Sequence, residues 1–127
     1  MLTSDRNTIR AFMLFEAATF ALAALIHAGY LVEGYAHHEA HLAEAIIATV
    51  LLIAILVATL RPSTTRAAGL VGQGFALFAT CVGIFTIAVG VGPRTVPDVA
   101  YHVAIVIVLL WGLVVTRRAS RLGSIQT

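Results

Sequence analysis

Four apolar stretches follow one another along the chain, each interrupted at one or two polar positions. Ala11 to Val32 is interrupted by Glu16 and His27, and Leu42 to Leu60 by Glu44. Ala67 to Val91 has Gln73 as its most polar member, and Val99 to Thr116 carries His102 near its start. A helix needs about 20 apolar residues to cross the hydrocarbon core of a bilayer. The pattern predicts four membrane-spanning helices, at about 8–33, 38–60, 66–91 and 96–117. Continuous apolar runs of this length argue against the alternating pattern of a membrane β-barrel. The links between them are short, which favours an antiparallel four-helix bundle in one domain over 1–127. The expected fold is therefore all-α and integral to a membrane.

Composition agrees with that solvent. Of the residues, 60% are apolar and 11% charged, and the mean hydropathy is +0.97. A soluble domain carries roughly 25% charged residues, and one this small has too little interior to hide so much apolar surface. The first stretch has the basic start of a signal peptide. Its length and the interruption at Glu16 fit a span better.

The positive charge comes from eight arginines and no lysine. Arg6, Arg10, Arg61, Arg66, Arg117, Arg118 and Arg121 all fall at one face of the expected bundle, and Arg94 at the other. Basic residues collect on the cytoplasmic side, so both chain ends are expected there, in a bacterial cytoplasmic membrane. Tyr30, Tyr35 and Tyr101 then mark the outer interface and Trp111 the inner one. The arginines are not interleaved with aromatics, so no nucleic-acid surface is expected. The single cysteine, Cys81, excludes an internal disulfide and reads as a packing residue.

Two stripes of small residues bear on packing. Gly72, Ala76, Ala79, Gly83, Thr86 and Gly90 repeat along the third helix, and Ala17, Ala21, Ala24 and Ala28 along the first. Small residues let helices approach closely in lipid. The stripes face partners within the bundle, a second copy of the chain, or a larger membrane complex. Thr95-Val96-Pro97-Asp98 has the form of a capping box that opens the fourth helix.

The candidate chemistry lies at the extracytoplasmic end. All five histidines are there, with Glu33, Glu39, Glu44 and Asp98. His37, His41 and Glu44 share one face of the second helix. His27 and His102 lie at similar depth on the first and fourth. Three imidazole nitrogens and one carboxylate suit zinc, copper or iron better than calcium or magnesium. The expected ligands are His27, His41, Glu44 and His102, with His37 and His38 as alternates. Asp98 is expected to orient His102, with Glu33 and Tyr101 in support around the ligands. The order of residues in His37-His38-Glu39-Ala40-His41 is not that of a zinc-protease helix. Without a metal, the same residues are wet interfacial histidines beside a hydrogen-bonded His41–Glu44 pair, a proton relay, or axial ligands to a haem.

Glu16 falls well inside the hydrocarbon, where a carboxyl group usually turns to the bundle interior. Glu16, Phe20, Ala23 and His27 share a helix face, so the spacing allows a proton or ion path along it. A protonated Glu16 hydrogen-bonded to Gln73 or to a backbone carbonyl is the simpler expectation. Arg94 is expected to pair with Asp98 or to bind an anion. No nucleophile triad, phosphate loop or CxxC pair is present. The leading expectation is a metal-binding membrane protein engaged in metal handling or a redox step. An accessory subunit of a larger complex and a haem- or quinone-linked electron carrier are the alternatives.

Overall fold

The computed structural model describes residues 1–123, and among them every regular element is helical. Helix α1 spans Thr3–His27, α2 His38–Leu60, α3 Thr65–Ala88 and α4 Val96–Gly123. A short 3₁₀ turn, Pro62–Thr64, leads into α3. All four helices are long and apolar enough to cross a membrane.

The chain reverses at each link, so successive helices run antiparallel. One end of the bundle carries the α1–α2 and α3–α4 links, and is termed the histidine end. Helix α1 packs against all three others and reaches α3 across the diagonal. Its buried face is Ile9, Met13, Glu16, Ala17, Phe20, Ala23, Ala24 and His27, a helical spacing of apolar residues with Glu16 near the middle of the helix and His27 at its end. Ile47, Leu51, Ala54 and Ala58 of α2 meet it, with Ala76 of α3 and Ile105 and Leu109 of α4. Large apolar side chains such as Leu22, Leu52, Phe78 and Ile107 point outward from the bundle.

Two helices stop before their apolar runs do, and for the same reason. Gly29 has φ +84°, its N–H bonds the Ile26 carbonyl, and the Tyr30 N–H bonds the Leu25 carbonyl. Gly90 has φ +89°, with the equivalent bonds from Gly90 to Ile87 and from Val91 to Thr86. Both are Schellman closures, which glycine enters without steric penalty. The first helix therefore ends at His27 and not near 33, and the third at Ala88 and not near 91. In the other direction α1 starts at Thr3, because its polar first turns are helical too. Helix α4 runs past 117 to Gly123, and the side chain of Arg121 lies outside the described residues.

The small-residue stripes lie largely between helices of this one chain. Ala17 and Ala24 are buried in the bundle, Gly72 lies against Ala54, and Gly83 lies beside His102.

Candidate functional site

At the centre of the histidine end is His27, the last residue of α1 and 4% exposed. Its Nδ1 lies 2.7 Å from Oε2 of Glu44 on α2, and its Nε2 lies 3.0 Å from Oδ1 of Asp98 on α4. Both carboxyl groups are buried. The Schellman closure places this imidazole at the end of α1, where α2 and α4 flank it.

Asp98 is held from its other side. Its Oδ2 accepts from the Thr95 N–H at 3.2 Å and from the Thr95 hydroxyl, while the Asp98 N–H donates to Thr95 Oγ1 at 3.3 Å. This is the capping box of α4. It turns the carboxylate toward α1, away from the residue one turn along its own helix. Asp98 therefore does not orient His102 through its carboxylate. His102 Nδ1 instead donates to the main-chain carbonyl of Asp98 at 2.7 Å. That bond puts the proton on Nδ1 and leaves Nε2, in a neutral ring, as an acceptor.

The remaining histidines are engaged elsewhere. His41 Nδ1 donates to the Ala24 carbonyl at 2.9 Å, which ties α2 to α1. His37 is the N-cap of α2: its Nδ1 accepts from the Ala40 N–H at 3.3 Å, and its Nε2 donates to the Val91 carbonyl at 3.3 Å. His38 and Glu33 are exposed. The expected ligands His27, His41, Glu44 and His102 thus share one end of the bundle without facing one point. Among the described residues no group of three or more His, Cys, Asp or Glu side chains is placed to hold a metal ion. His27 could serve a metal or a haem iron only by releasing one of its two carboxyl partners.

Arg94 does not reach Asp98. It donates to the Ile87 and Ala88 carbonyls at 2.9 and 3.2 Å, and so caps the end of α3. Free carbonyls at a helix C-terminus are natural partners for a cation.

Two cavities flank the His27 cluster. The first, about 250 Å³, lies among α2, α3 and α4 and is lined by Glu44, Tyr101, His102, His37 and Thr80 together with Phe20, Ile47 and Val82. The second, about 360 Å³, lies between α1 and α4 and is lined by His27, Asp98, Tyr101, Thr19, Tyr35 and Pro97. Glu44 borders one, Asp98 borders the other, and His27 joins the two carboxyls. The buried hydroxyl of Tyr101, which lines both cavities, has no hydrogen-bond partner.

A separate polar cluster is buried deeper. Glu16, fully buried, accepts at Oε1 from Gln73 Nε2 at 3.2 Å, the partner its position pointed to. Gln73 Oε1 accepts from Thr116 Oγ1 at 2.9 Å, so α1, α3 and α4 are joined in one line. Thr116 escaped notice in the sequence, since a threonine at the end of an apolar run carries no signal. Between Glu16 and His27 the shared face of α1 carries Phe20 and Ala23, both buried and apolar. Thr80 donates to the Ala76 carbonyl of its own helix. No polar step connects the two clusters along this face.

No protein-family model, curated protein or solved structure matches the chain.

The His27 cluster has a definite proton inventory. Two hydrogen bonds join three groups, and each bond needs one proton. An imidazolium between two carboxylates meets that need, and so does a neutral imidazole beside one carboxylic acid. The two arrangements hold the same number of protons and the same single net negative charge. A proton can therefore shift along the line without a change in the charge of the buried cluster, which avoids the large cost of creating a new charge there. Such a line can accept a proton at one carboxyl group as it gives one up at the other.

Proposed function

We propose that this chain is a multi-pass protein of a bacterial cytoplasmic membrane. Both of its ends lie in the cytoplasm, and the histidine end of its bundle exchanges protons with a small molecule held beside Glu44. The arginine distribution supports the orientation. Arg6, Arg10, Arg61, Arg66, Arg117 and Arg118 lie at the end opposite the histidines, where positive charge favours the cytoplasm. The outward apolar faces of the four helices support the membrane setting.

One observation carries the proton reading: both ring nitrogens of a buried histidine are occupied by carboxyl groups that border different cavities. Histidine is suited to the task, since its charge changes near physiological pH. Ionisable residues kept within a membrane bundle commonly belong to proton or substrate paths. Asp98 is the fixed end of the line, held by Thr95, and Glu44 is the end that meets the bound molecule. The metal centre expected from the histidine count would need His27 to give up one carboxyl partner, and His41 and His102 to bring Nε2 to the same ion.

Infrared difference spectroscopy of the purified protein in lipid bilayers tests this. With changing pH, carboxyl and imidazole bands are expected to alter together, with deuterium sensitivity in both. His27→Gln should uncouple them, and Glu44→Gln and Asp98→Asn should each remove one carboxyl component. Independent responses of the carboxyl and imidazole bands would refute the relay. Stoichiometric transition metal in the purified protein, lost in His27→Ala and His41→Ala, would replace it with the metal centre.

A further inference from the structure

The geometry points to a quinone or quinol ring as the occupant of the cavity beside Glu44. The inference rests on the proton-exchange reading of that carboxyl group and names what exchanges with it: reduction of the quinone takes two electrons from a membrane electron-transfer partner and two protons by way of Glu44, and oxidation of the quinol returns both. Three features of the cavity select the ligand.

The first is size. About 250 Å³ is below the roughly 300–1,000 Å³ of cavities that enclose drug-sized ligands. A single substituted ring fits this volume, with any tail left outside.

The second is the polar equipment. Glu44, Tyr101 and His102 line the space together with His37, Glu39, Thr80 and Thr86, and Phe20, Ile47 and Val82 are among its apolar walls. The Tyr101 hydroxyl is buried with no hydrogen-bond partner, and a buried donor without one is costly. A ring carbonyl would accept its proton. His102, with Nδ1 committed to the Asp98 carbonyl, offers Nε2 as an acceptor for a ring hydroxyl. A ligand that presents a carbonyl in one state and a hydroxyl in the other satisfies both. The net negative charge of the His27 cluster disfavours an anionic ligand.

The third is the approach. Ala43 of α2, and Val82 and Val91, line the cavity and are exposed on the outside of the bundle. That side of the rim is apolar and opens between α2 and α3, while Glu39 stands at the rim where α2 begins. The occupant therefore arrives from an apolar phase, as a lipid-soluble ring does.

Gly83 gives a test that leaves the relay residues in place. Gly83 lines the cavity and a Cβ there lies 3.4 Å from His102 Nε2, so the side chain of Gly83→Leu takes up the ligand's space while Glu44, His27 and Asp98 are all retained. The full chain in nanodiscs is titrated with decylubiquinone and with its quinol, and bound probe is measured by calorimetry against empty nanodiscs. Saturable binding with one site per chain is expected. Gly83→Leu should abolish it, and Tyr101→Phe should weaken the quinone by about 3- to 10-fold through one lost hydrogen bond. Binding no greater than to empty nanodiscs overturns the inference. So does binding to Gly83→Leu or Tyr101→Phe at wild-type strength. The infrared bands are recorded on the same samples. Coupled bands without quinone binding leave the relay standing and remove its proposed ligand, whereas uncoupled bands remove the relay itself.

Discussion

His27→Ala removes the imidazole that joins two buried carboxyls, and the structure sets the size of the loss. Glu44 and Asp98 are 5% and 6% exposed, so neither is well solvated when its partner goes. Breaking a buried ion pair from one side costs about 3–5 kcal/mol, largely from the group left behind. The two carboxyls do not share that cost equally. Asp98 keeps the N–H and hydroxyl of Thr95, whereas the His27 ring is the hydrogen-bond partner shown for Glu44. A charge-assisted hydrogen bond contributes about 1.5–3 kcal/mol, and that range is expected for the His27–Glu44 coupling. The His27–Asp98 coupling should be smaller, about 0.5–1 kcal/mol, since Asp98 retains two other bonds. Against a total stability of about 5–15 kcal/mol the single variant still folds. The assay is equilibrium unfolding in mixed micelles, followed through Trp111. It is the one tryptophan in the sequence, and its ring centroid is 6.0 Å from that of Phe12. Two double-mutant cycles, His27 with Glu44 and His27 with Asp98, give the couplings. A His27–Asp98 coupling equal to or larger than the His27–Glu44 coupling would refute the assignment of Asp98 as the fixed end. A cost below about 1 kcal/mol for His27→Ala would refute the buried pair altogether.

Four further outcomes are expected. A Cβ at Gly112 lies 2.7 Å from Glu16 Oε1 and 3.2 Å from Phe12 Cδ1, so Gly112→Ala should cost about 1–3 kcal/mol by overpacking. Gly74→Ala, with nothing within 4 Å, should be neutral or stabilise by up to about 1 kcal/mol in the same unfolding assay. Thr116→Val deprives Gln73 Oε1 of its donor and should cost about 1–3 kcal/mol, whereas Glu16→Gln keeps an acceptor for Gln73 and should cost less. For orientation, in a Cys81→Ala background, Glu33→Cys should react with an impermeant maleimide in intact cells. Ser63→Cys should react only after the membrane is opened, and the reverse pattern would invert the proposed topology.

Much of the architecture is legible in the sequence because long apolar runs leave few options. Long apolar runs must be helices, and short links must join antiparallel neighbours. The helix ends are less legible. Hydropathy records which residues tolerate lipid, whereas a helix stops where the backbone turns, as at Gly29 and Gly90. Both glycines sit inside apolar runs, so a count of apolar residues passes over them. The Glu16–Gln73 pair was foreseeable, since a carboxyl group within a long apolar run needs an interior partner and few polar residues were on offer.

The histidine end was harder. Sequence spacing places His37, His41 and Glu44 on one face of α2 and sets Asp98 one turn before His102. Those relations hold within each helix and say nothing of which helix lies opposite. The capping box at Thr95 already contained the clue, because a carboxylate engaged at a helix start is turned away from the next turn of its own helix. The partner of that carboxylate is on α1, and no spacing along α4 reveals it.

Composition and periodicity are properties of each segment alone, and they suffice to read apolar helices with the histidines, Glu44 and Asp98 at one end and most of the arginines at the other. Only the tertiary structure decided which of those residues touch. Hydrogen bonds between helices depend on rotation and depth to within an ångström. Those are set by how Ala17, Ala24, Gly72 and Gly112 let the helices approach, and not by any one segment.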